Sequence, residues 1–136
     1  MANEIFADSS GFFALLVKAD DRHSAASRLL HGARRRRRFV TTDYVLDETA
    51  TLLKSRGHGH LVHGFFDTVM TSDACRIEWM DPERFRDVQA FFLKYGDQAW
   101  SFTDCFSFRI MKELRLRDAL TKDRHFQDAG FVVLLK

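Results

Sequence analysis

The chain carries, close to its start, the segment Ile5-Phe6-Ala7-Asp8-Ser9-Ser10-Gly11. Its three apolar residues are typical of a buried strand in a parallel sheet, because such a strand is covered on both faces. The small polar residues that follow are typical of a tight turn from a strand into a helix. Ligands of open α/β sheets bind outside the carboxyl ends of the strands. The segment therefore predicts that Asp8 lies at a functional edge of the sheet.

The rest of the chain alternates predicted strands with predicted helices. Short apolar runs predict four further strands, at residues 39–42, 75–80, 119–121 and 131–135. Helical patterns and helix-capping residues predict helices at about residues 11–17, 21–32, 43–56, 59–71, 82–95 and 101–116, with one short helical turn before the last strand. This alternation predicts an α/β fold, a three-layer α/β/α sandwich with a mostly parallel five-stranded sheet.

The composition indicates one globular domain over residues 1–136. Hydrophobic residues make up 46% of the chain and include 14 Phe, whereas Pro occurs once, so the chain has core material and no linker-like stretch. The formal charge of +2 neither requires nor excludes a nucleic-acid partner. Two cysteines without disulfide or metal-site spacing, and the lack of a signal peptide or a long apolar span, predict a cytoplasmic protein that does not enter a membrane.

Three more carboxylates join Asp8 as candidate functional groups. Glu48 borders the buried face of its predicted helix, because the residues three and four positions away are mainly apolar, whereas its neighbour Asp47 lies on a polar face. Asp104 also borders an apolar face, early in its helix. Asp123 directly follows the fourth strand, at the same sheet edge as Asp8.

Taken singly, each acid also suits a structural role. Asp8 and Asp123 stand where helix N-caps are expected, and Ser101 with Asp104 has the spacing of a capping box. Glu48 suits the early part of a helix. Taken together, four carboxylates at one edge repel one another unless a cation lies among them. Oxygen ligands without His or Cys at ligand spacing predict Mg²⁺ or Mn²⁺.

Four blocks of sequence, in order along nearly the whole chain, resemble the PIN-domain family, and most closely its VapC-type toxins of bacterial toxin–antitoxin pairs. The blocks are Phe6-Ala7-Asp8-Ser9-Ser10, Thr41-Thr42-Asp43-Tyr44-Val45-Leu46-Asp47-Glu48, Ser101-Phe102-Thr103-Asp104-Cys105 and Leu120-Thr121-Lys122-Asp123-Arg124-His125-Phe126. The resemblance implies a Mg²⁺- or Mn²⁺-dependent ribonuclease that is held in check by a protein antitoxin and forms a homodimer.

The resemblance also implies the roles of individual residues. The catalytic acids would be Asp8, Glu48, Asp104 and Asp123, and all four are candidate metal ligands. Glu48 is either a ligand, directly or through water, or the group that orients the attacking water. Candidate contacts to RNA are Ser9, Thr103, Arg124 and, from the five-arginine run 34–38, Arg35 and Arg36. Ser101 is the alternative to Thr103 as the hydroxyl near the third acid.

Two other interpretations compete with this one. A PIN-like RNA-binding or scaffold protein would have the same fold without catalysis. A haloacid-dehalogenase-like phosphatase would also use Mg²⁺ on a parallel sheet, but that family has Asp-x-Asp after its first strand, where this chain has Asp8-Ser9-Ser10. Lys122 stands beside the predicted site, where the PIN family commonly has an apolar or aromatic residue, and this position keeps the scaffold interpretation open.

Overall fold

The computed structural model describes residues 4–33 and 37–136, and within this part of the chain it has five strands and seven α-helices. The strands are β1 (Ile5–Ala7), β2 (Phe39–Thr42), β3 (Cys75–Glu78), β4 (Asp118–Leu120) and β5 (Val132–Val133). The helices are α1 (Ser9–Leu16), α2 (His23–Ala33), α3 (Asp43–Ser55), α4 (Val62–Thr71), α5 (Pro82–Lys94), α6 (Phe102–Glu113) and α7 (Arg124–Asp128), and a 3₁₀ turn (Gly59–Leu61) precedes α4. None of these described helices is long and apolar enough to cross a bilayer.

The five strands form one sheet in the order β3-β2-β1-β4-β5, and every pair of neighbours is parallel. The predicted α/β fold with a five-stranded sheet is therefore confirmed, and the described sheet is entirely parallel. The chain runs from β1 outward to β3 and then returns to the other side of β1 with β4. The carboxyl ends of β1 and β4 thus flank the switch point, where open α/β sheets form their ligand crevice.

The strand β1 shows why the sheet needs a layer of helices on each face. Ile5, Phe6 and Ala7 are all buried, although successive side chains of a strand point to opposite faces. The same holds for the four residues of β2. Both faces of the central sheet are therefore covered, which gives the predicted three-layer arrangement. One hydrophobic core extends from Ile5 to Leu135.

The outer strands are shorter than the sequence predicts. The third was expected to continue to Met80, but β3 ends at Glu78 and the backbone N–H of Met80 donates instead to Asp43 Oδ1, at 3.0 Å. The last was expected over residues 131–135, but β5 has only two residues, and the N–H of Phe131 donates to the carbonyl of Phe126. At Met80 and Phe131 these bonds take the place of ladder bonds, whereas beyond β5 the N–H of Leu134 still donates to the carbonyl of Ala119.

Gly11 is required where α1 crosses the end of β4. A Cβ atom at this position would lie 2.0 Å from the carbonyl oxygen of Leu120, which is backbone and cannot move aside easily. We expect Gly11→Ala to lower the free energy of unfolding by about 3 kcal/mol or more, since overpacking displaces backbone. Thermal or urea unfolding of the purified protein measures the change.

The matched control is Gly64→Ala, in the interior of α4. No atom lies within 4 Å of a Cβ built there, so alanine should be neutral or stabilising by about 0.5–1 kcal/mol. Equal effects of the two substitutions would contradict the close contact between α1 and β4.

Candidate active site

The four carboxylates singled out in the sequence line one pocket at the carboxyl edge of the sheet, with a volume of about 340 Å³. Each comes from a different element: Asp8 follows β1, Glu48 lies on α3, Asp104 lies in the first turn of α6 and Asp123 follows β4. The other described residues that line the pocket are Ser9, Ser10, Leu52, Ala99, Ser101 and His125. No Lys or Arg is among these lining residues, so the pocket concentrates negative charge.

Asp104 combines a structural role with its place in the pocket. Its backbone N–H donates to Ser101 Oγ at 2.9 Å, and the N–H of Ser101 donates to Asp104 Oδ2 at 3.1 Å, which completes the predicted capping box. The same Oδ2 atom accepts a hydrogen bond from His125 Nδ1, also at 3.1 Å. The carboxylate is buried. Ser101 at the start of α6 and His125 on α7 donate to it and hold it in one orientation.

Asp123 is held in a similar way at the start of α7. Its Oδ1 atom accepts from the backbone N–H of His125 at 2.9 Å and lies 3.5 Å from the Nδ1 atom of the same residue. Potential ligand atoms of Asp104, Asp123 and His125 all lie within 4.8 Å of one another. Three groups at this spacing can contact a single cation, so the expectation that no His lies at ligand spacing is wrong for His125.

Asp8 precedes α1, but its side chain makes no capping hydrogen bond to that helix. Its Oδ2 atom instead accepts from the hydroxyl of Thr121, at 2.9 Å. Burial raises the pKa of Asp8 to about 7, and the charges of Glu48 and Asp104 add to this, while the hydrogen bonds from Thr121 and from the backbone of Ser9 oppose it. The interpretation of Asp8 as a side-chain cap of α1 is therefore wrong, and its carboxyl group lines the acidic pocket.

Glu48 is half-buried, whereas its neighbour Asp47 is exposed, as the helical pattern predicted. Burial is the main cause that raises the pKa of Glu48, and the charges of Asp104, Asp123 and Asp47 raise it further. A hydrogen bond with the side chain of Ser9 acts in the opposite direction. Like charges thus destabilise the ionised pocket, and a bound cation would relieve this repulsion.

The residues proposed for RNA contact are less close together. Ser9 lines the pocket, but Thr103 does not, and Ser101 takes the place beside Asp104. The side chain of Arg124 is 85% exposed and lies nearest to Asp128, at 3.9 Å. Arg35 and Arg36 fall outside the described residues. Their neighbour in the arginine run, Arg37, forms an ion pair of 2.9 Å with Asp118.

Lys122, the unusual residue beside the fourth acid, does not line the pocket. Its ammonium group donates to Asp20 Oδ2 at 3.0 Å and to Asp21 Oδ1 at 3.3 Å, in the turn between α1 and α2. The positive charge of Lys122 is therefore neutralised outside the acidic cluster.

Three residues of the site were not singled out from the sequence as members of it: Ser10, Thr121 and His125. Ser10 and Thr121 are hydroxyl residues near Asp8 and Asp123 in the sequence. This closeness to the acids was the only feature that could have indicated their place in the site. His125 follows Asp123 by two positions, so its place near the fourth acid is visible in the sequence. Its bond to Asp104, 21 positions away, depends on the packing of α6 against α7.

Comparison with known proteins identifies relatives over almost the whole chain. Residues 5–132 match the PIN domain family. The 23S rRNA-specific endonuclease VapC20 from two strains of Mycobacterium tuberculosis, CDC 1551/Oshkosh and ATCC 25618/H37Rv, is 31% identical over 128 residues, which cover 94% of this chain and 95% of the relative.

A solved structure agrees with this result. The crystal structure of Mycobacterium tuberculosis VapC20, described as a sarcin–ricin loop cleaving toxin, superposes with a TM-score of 0.84 at 28% identity. The superposition covers 94% of this chain and 96% of that one. The two proteins therefore share the fold over essentially their full described length.

Proposed function

This chain belongs to the PIN-domain family, and we propose on that basis that it is a metal-dependent endoribonuclease that acts as the toxin of a toxin–antitoxin pair. The observation that carries the proposal is the pocket in which Asp8, Glu48, Asp104 and Asp123 converge without a lining Lys or Arg among the described residues. Such a cluster is costly to a protein that has no cation to place in it.

The donor set suits a hard divalent ion, because carboxylates prefer Mg²⁺ and Mn²⁺. Asp8, Asp104 and Asp123 would hold the ion, and Glu48 would either join them or orient the attacking water. A divalent ion bound there would supply Lewis-acid stabilisation of the phosphate and lower the pKa of a bound water.

The protein's own contribution is to fix these carboxylates before RNA binds. Asp104 is held by Ser101 and His125, and Asp123 is held by the N–H of His125. Groups that are already oriented need no reorganisation during the reaction, which lowers its barrier. Burial raises the pKa of Glu48 in the pocket, which makes its carboxylate a stronger base toward the attacking water.

The substrate class we propose is ribosomal RNA. The support is that the VapC20 relative, 31% identical over 94% of this chain, is named for its action on 23S rRNA. We also propose that residues 1–136 act as one nuclease domain, which is supported by the larger hydrophobic cluster, since it includes residues from Ile5 to Leu135. The protein antitoxin and the homodimer remain predictions from the family resemblance, and sedimentation of the purified protein would test the dimer. The cytoplasmic location remains a prediction from the cysteine usage of the sequence.

The activity test uses the purified protein with ribosomes and with protein-free RNA. We expect cleavage with millimolar Mg²⁺ or Mn²⁺ and loss of cleavage in excess EDTA, restored when metal is added back, because the site depends on a divalent ion. Primer extension on the RNA locates the cut. Cleavage at an equal rate in EDTA would contradict the proposed metal dependence, and no cleavage of any RNA would favour the scaffold interpretation.

A further inference from the structure

A buried hydroxyl connects the two strands that flank the switch point of the sheet. Thr121 is completely buried at the end of β4. Its Oγ1 atom lies 2.9 Å from Asp8 Oδ2, 3.0 Å from the backbone nitrogen of Asp123 and 3.0 Å from Ser10 Oγ. The hydroxyl therefore touches two of the four acidic positions of the pocket, the side chain of Asp8 and the backbone of Asp123.

The direction of each hydrogen bond follows from counting protons. A hydroxyl donates once and accepts twice. The Asp123 N–H can only donate, so it occupies one acceptor position of Thr121. The Ser10 hydroxyl accepts from the backbone N–H of Lys122 at 3.0 Å. Its own proton can occupy the second acceptor position of Thr121, at 3.0 Å, which is a shorter contact than the one from Ser10 Oγ to Asp8 Oδ2, at 3.4 Å.

With both acceptor positions filled, the Thr121 proton has Asp8 Oδ2 as its partner. The chain of donors runs from the N–H of Lys122 through Ser10 and Thr121 to Asp8, with every bond satisfied. Successive hydrogen bonds in such a buried chain strengthen one another.

We propose that Thr121 is a positioning residue of the nuclease site, whose hydroxyl sets the orientation of Asp8 relative to Asp123 and so preforms the metal-binding arrangement. This inference rests on the proposed function, because it concerns the same site. Outer hydrogen-bond partners of this kind orient the ligands of metal sites, and their loss typically weakens metal binding by about 10- to 100-fold.

The test compares four proteins: the parent, Thr121→Val, Thr121→Ser and Thr49→Val. Valine keeps the shape of threonine and removes the hydroxyl, whereas serine keeps the hydroxyl. Thr49 is the matched control, since it is also completely buried on α3, beside Glu48, but its hydroxyl donates to the carbonyl of Val45 in its own helix, at 2.7 Å. Calorimetric titration with Mn²⁺ gives the affinity, and cleavage kinetics give kcat and KM for RNA.

We expect Thr121→Val to weaken Mn²⁺ binding by about 10- to 100-fold and to lower kcat with little change in KM. Thr121→Ser should restore the affinity to near that of the parent, and Thr49→Val should keep it. An unchanged Mn²⁺ affinity in Thr121→Val, or an equal loss in Thr49→Val, would overturn the inference. A parent that binds neither Mn²⁺ nor Mg²⁺ would overturn the proposed metal site itself, and the role of Thr121 with it.

A melt in EDTA shows whether each variant is folded. If Thr121→Val does not fold, Ser10→Ala takes its place, because it removes the donor to Thr121 from a less buried position. We expect Ser10→Ala to weaken Mn²⁺ binding less than the loss of Thr121 would, and parent-like affinity in this variant would overturn the proposed chain of donors.

Discussion

Replacing Asp104 with Asn should lower the rate of RNA cleavage about 10³-fold or more while the protein stays folded. Asp104 is the third residue of α6 and part of its capping box, and the amide oxygen of asparagine can still accept the N–H of Ser101, so the start of α6 should persist. The substitution nevertheless removes an anionic oxygen that a hard divalent ion prefers. Loss of about 4 kcal/mol of stabilisation in the transition state corresponds to this decrease in rate.

The matched control for this experiment is Asp47→Asn. Asp47 lies on α3 beside Glu48 but is exposed to solvent. Its replacement by Asn therefore changes the net charge by the same amount without altering the lining of the pocket. We expect its cleavage rate and its metal dependence to stay close to those of the parent. Cleavage by the Asp104→Asn protein at the parent's rate, measured over a range of Mn²⁺ concentrations, would remove Asp104 from the proposed site.

The part of the site that could be predicted from the sequence is the part fixed by local structure. Asp8 and Asp123 follow strands, and Asp104 follows a helix-capping serine, so their places in the chain already indicate a common edge of a parallel sheet. Glu48 could be distinguished from Asp47 because the helical period determines which of two neighbours borders the core. The alternation of strands and helices also follows from local sequence patterns, so the α/β fold class could be predicted.

The residues that the sequence did not reveal depend on contacts between distant segments. Thr121 and Asp8 are 113 positions apart, and only the pairing of β1 with β4 brings them together. Gly11 looked like an ordinary turn residue until its approach to the carbonyl of Leu120 was visible. Arg124 shows the opposite case, since it adjoins Asp123 in the chain and yet its side chain extends into solvent.

The other large effect that we expect is a change in how stability depends on pH when Asp8 becomes Asn. Asp8 has a pKa of about 7 in the folded protein, against 3.8 for the unfolded chain. The folded state therefore keeps a proton that the unfolded state releases as the pH rises between these values. Stability is consequently highest at the acidic end of this range and falls as the pH approaches 7, by about 4 kcal/mol from this group.

The Asp8→Asn protein should lack this loss, because its amide carries no charge at any pH in the range. In EDTA at about pH 7.5, the mutant should then be more stable than the parent, and the difference should shrink as the pH is lowered to 4. A residue that only capped a helix would give a nearly neutral change at every pH, since Asn and Asp cap about equally well.

Metal should reduce the advantage in stability that the Asp8→Asn protein has over the parent. An ion that binds only the folded state raises the free energy of unfolding by about 2.7 kcal/mol at a concentration of 100 times Kd. Millimolar Mn²⁺ should therefore raise the melting temperature of the parent more than that of Asp8→Asn, which has lost an anionic ligand. Cleavage by the mutant should be nearly abolished, because the ion that activates water is misplaced or absent.

The measurement is a set of thermal melts of both proteins from pH 4 to 8, with EDTA and with Mn²⁺, alongside the cleavage assay. The difference between the two curves reports the charge of Asp8 together with its repulsion of Glu48 and Asp104. Relative to the parent, we expect the Asp8→Asn protein to be more stable without metal, to gain less stability when metal is added and to lose cleavage. All three results follow from removing the charge of one buried carboxylate. Parallel pH curves together with equal shifts on adding Mn²⁺ would mean that Asp8 does not share a cation with the other acids, and the proposed metal site would then have to be built without it.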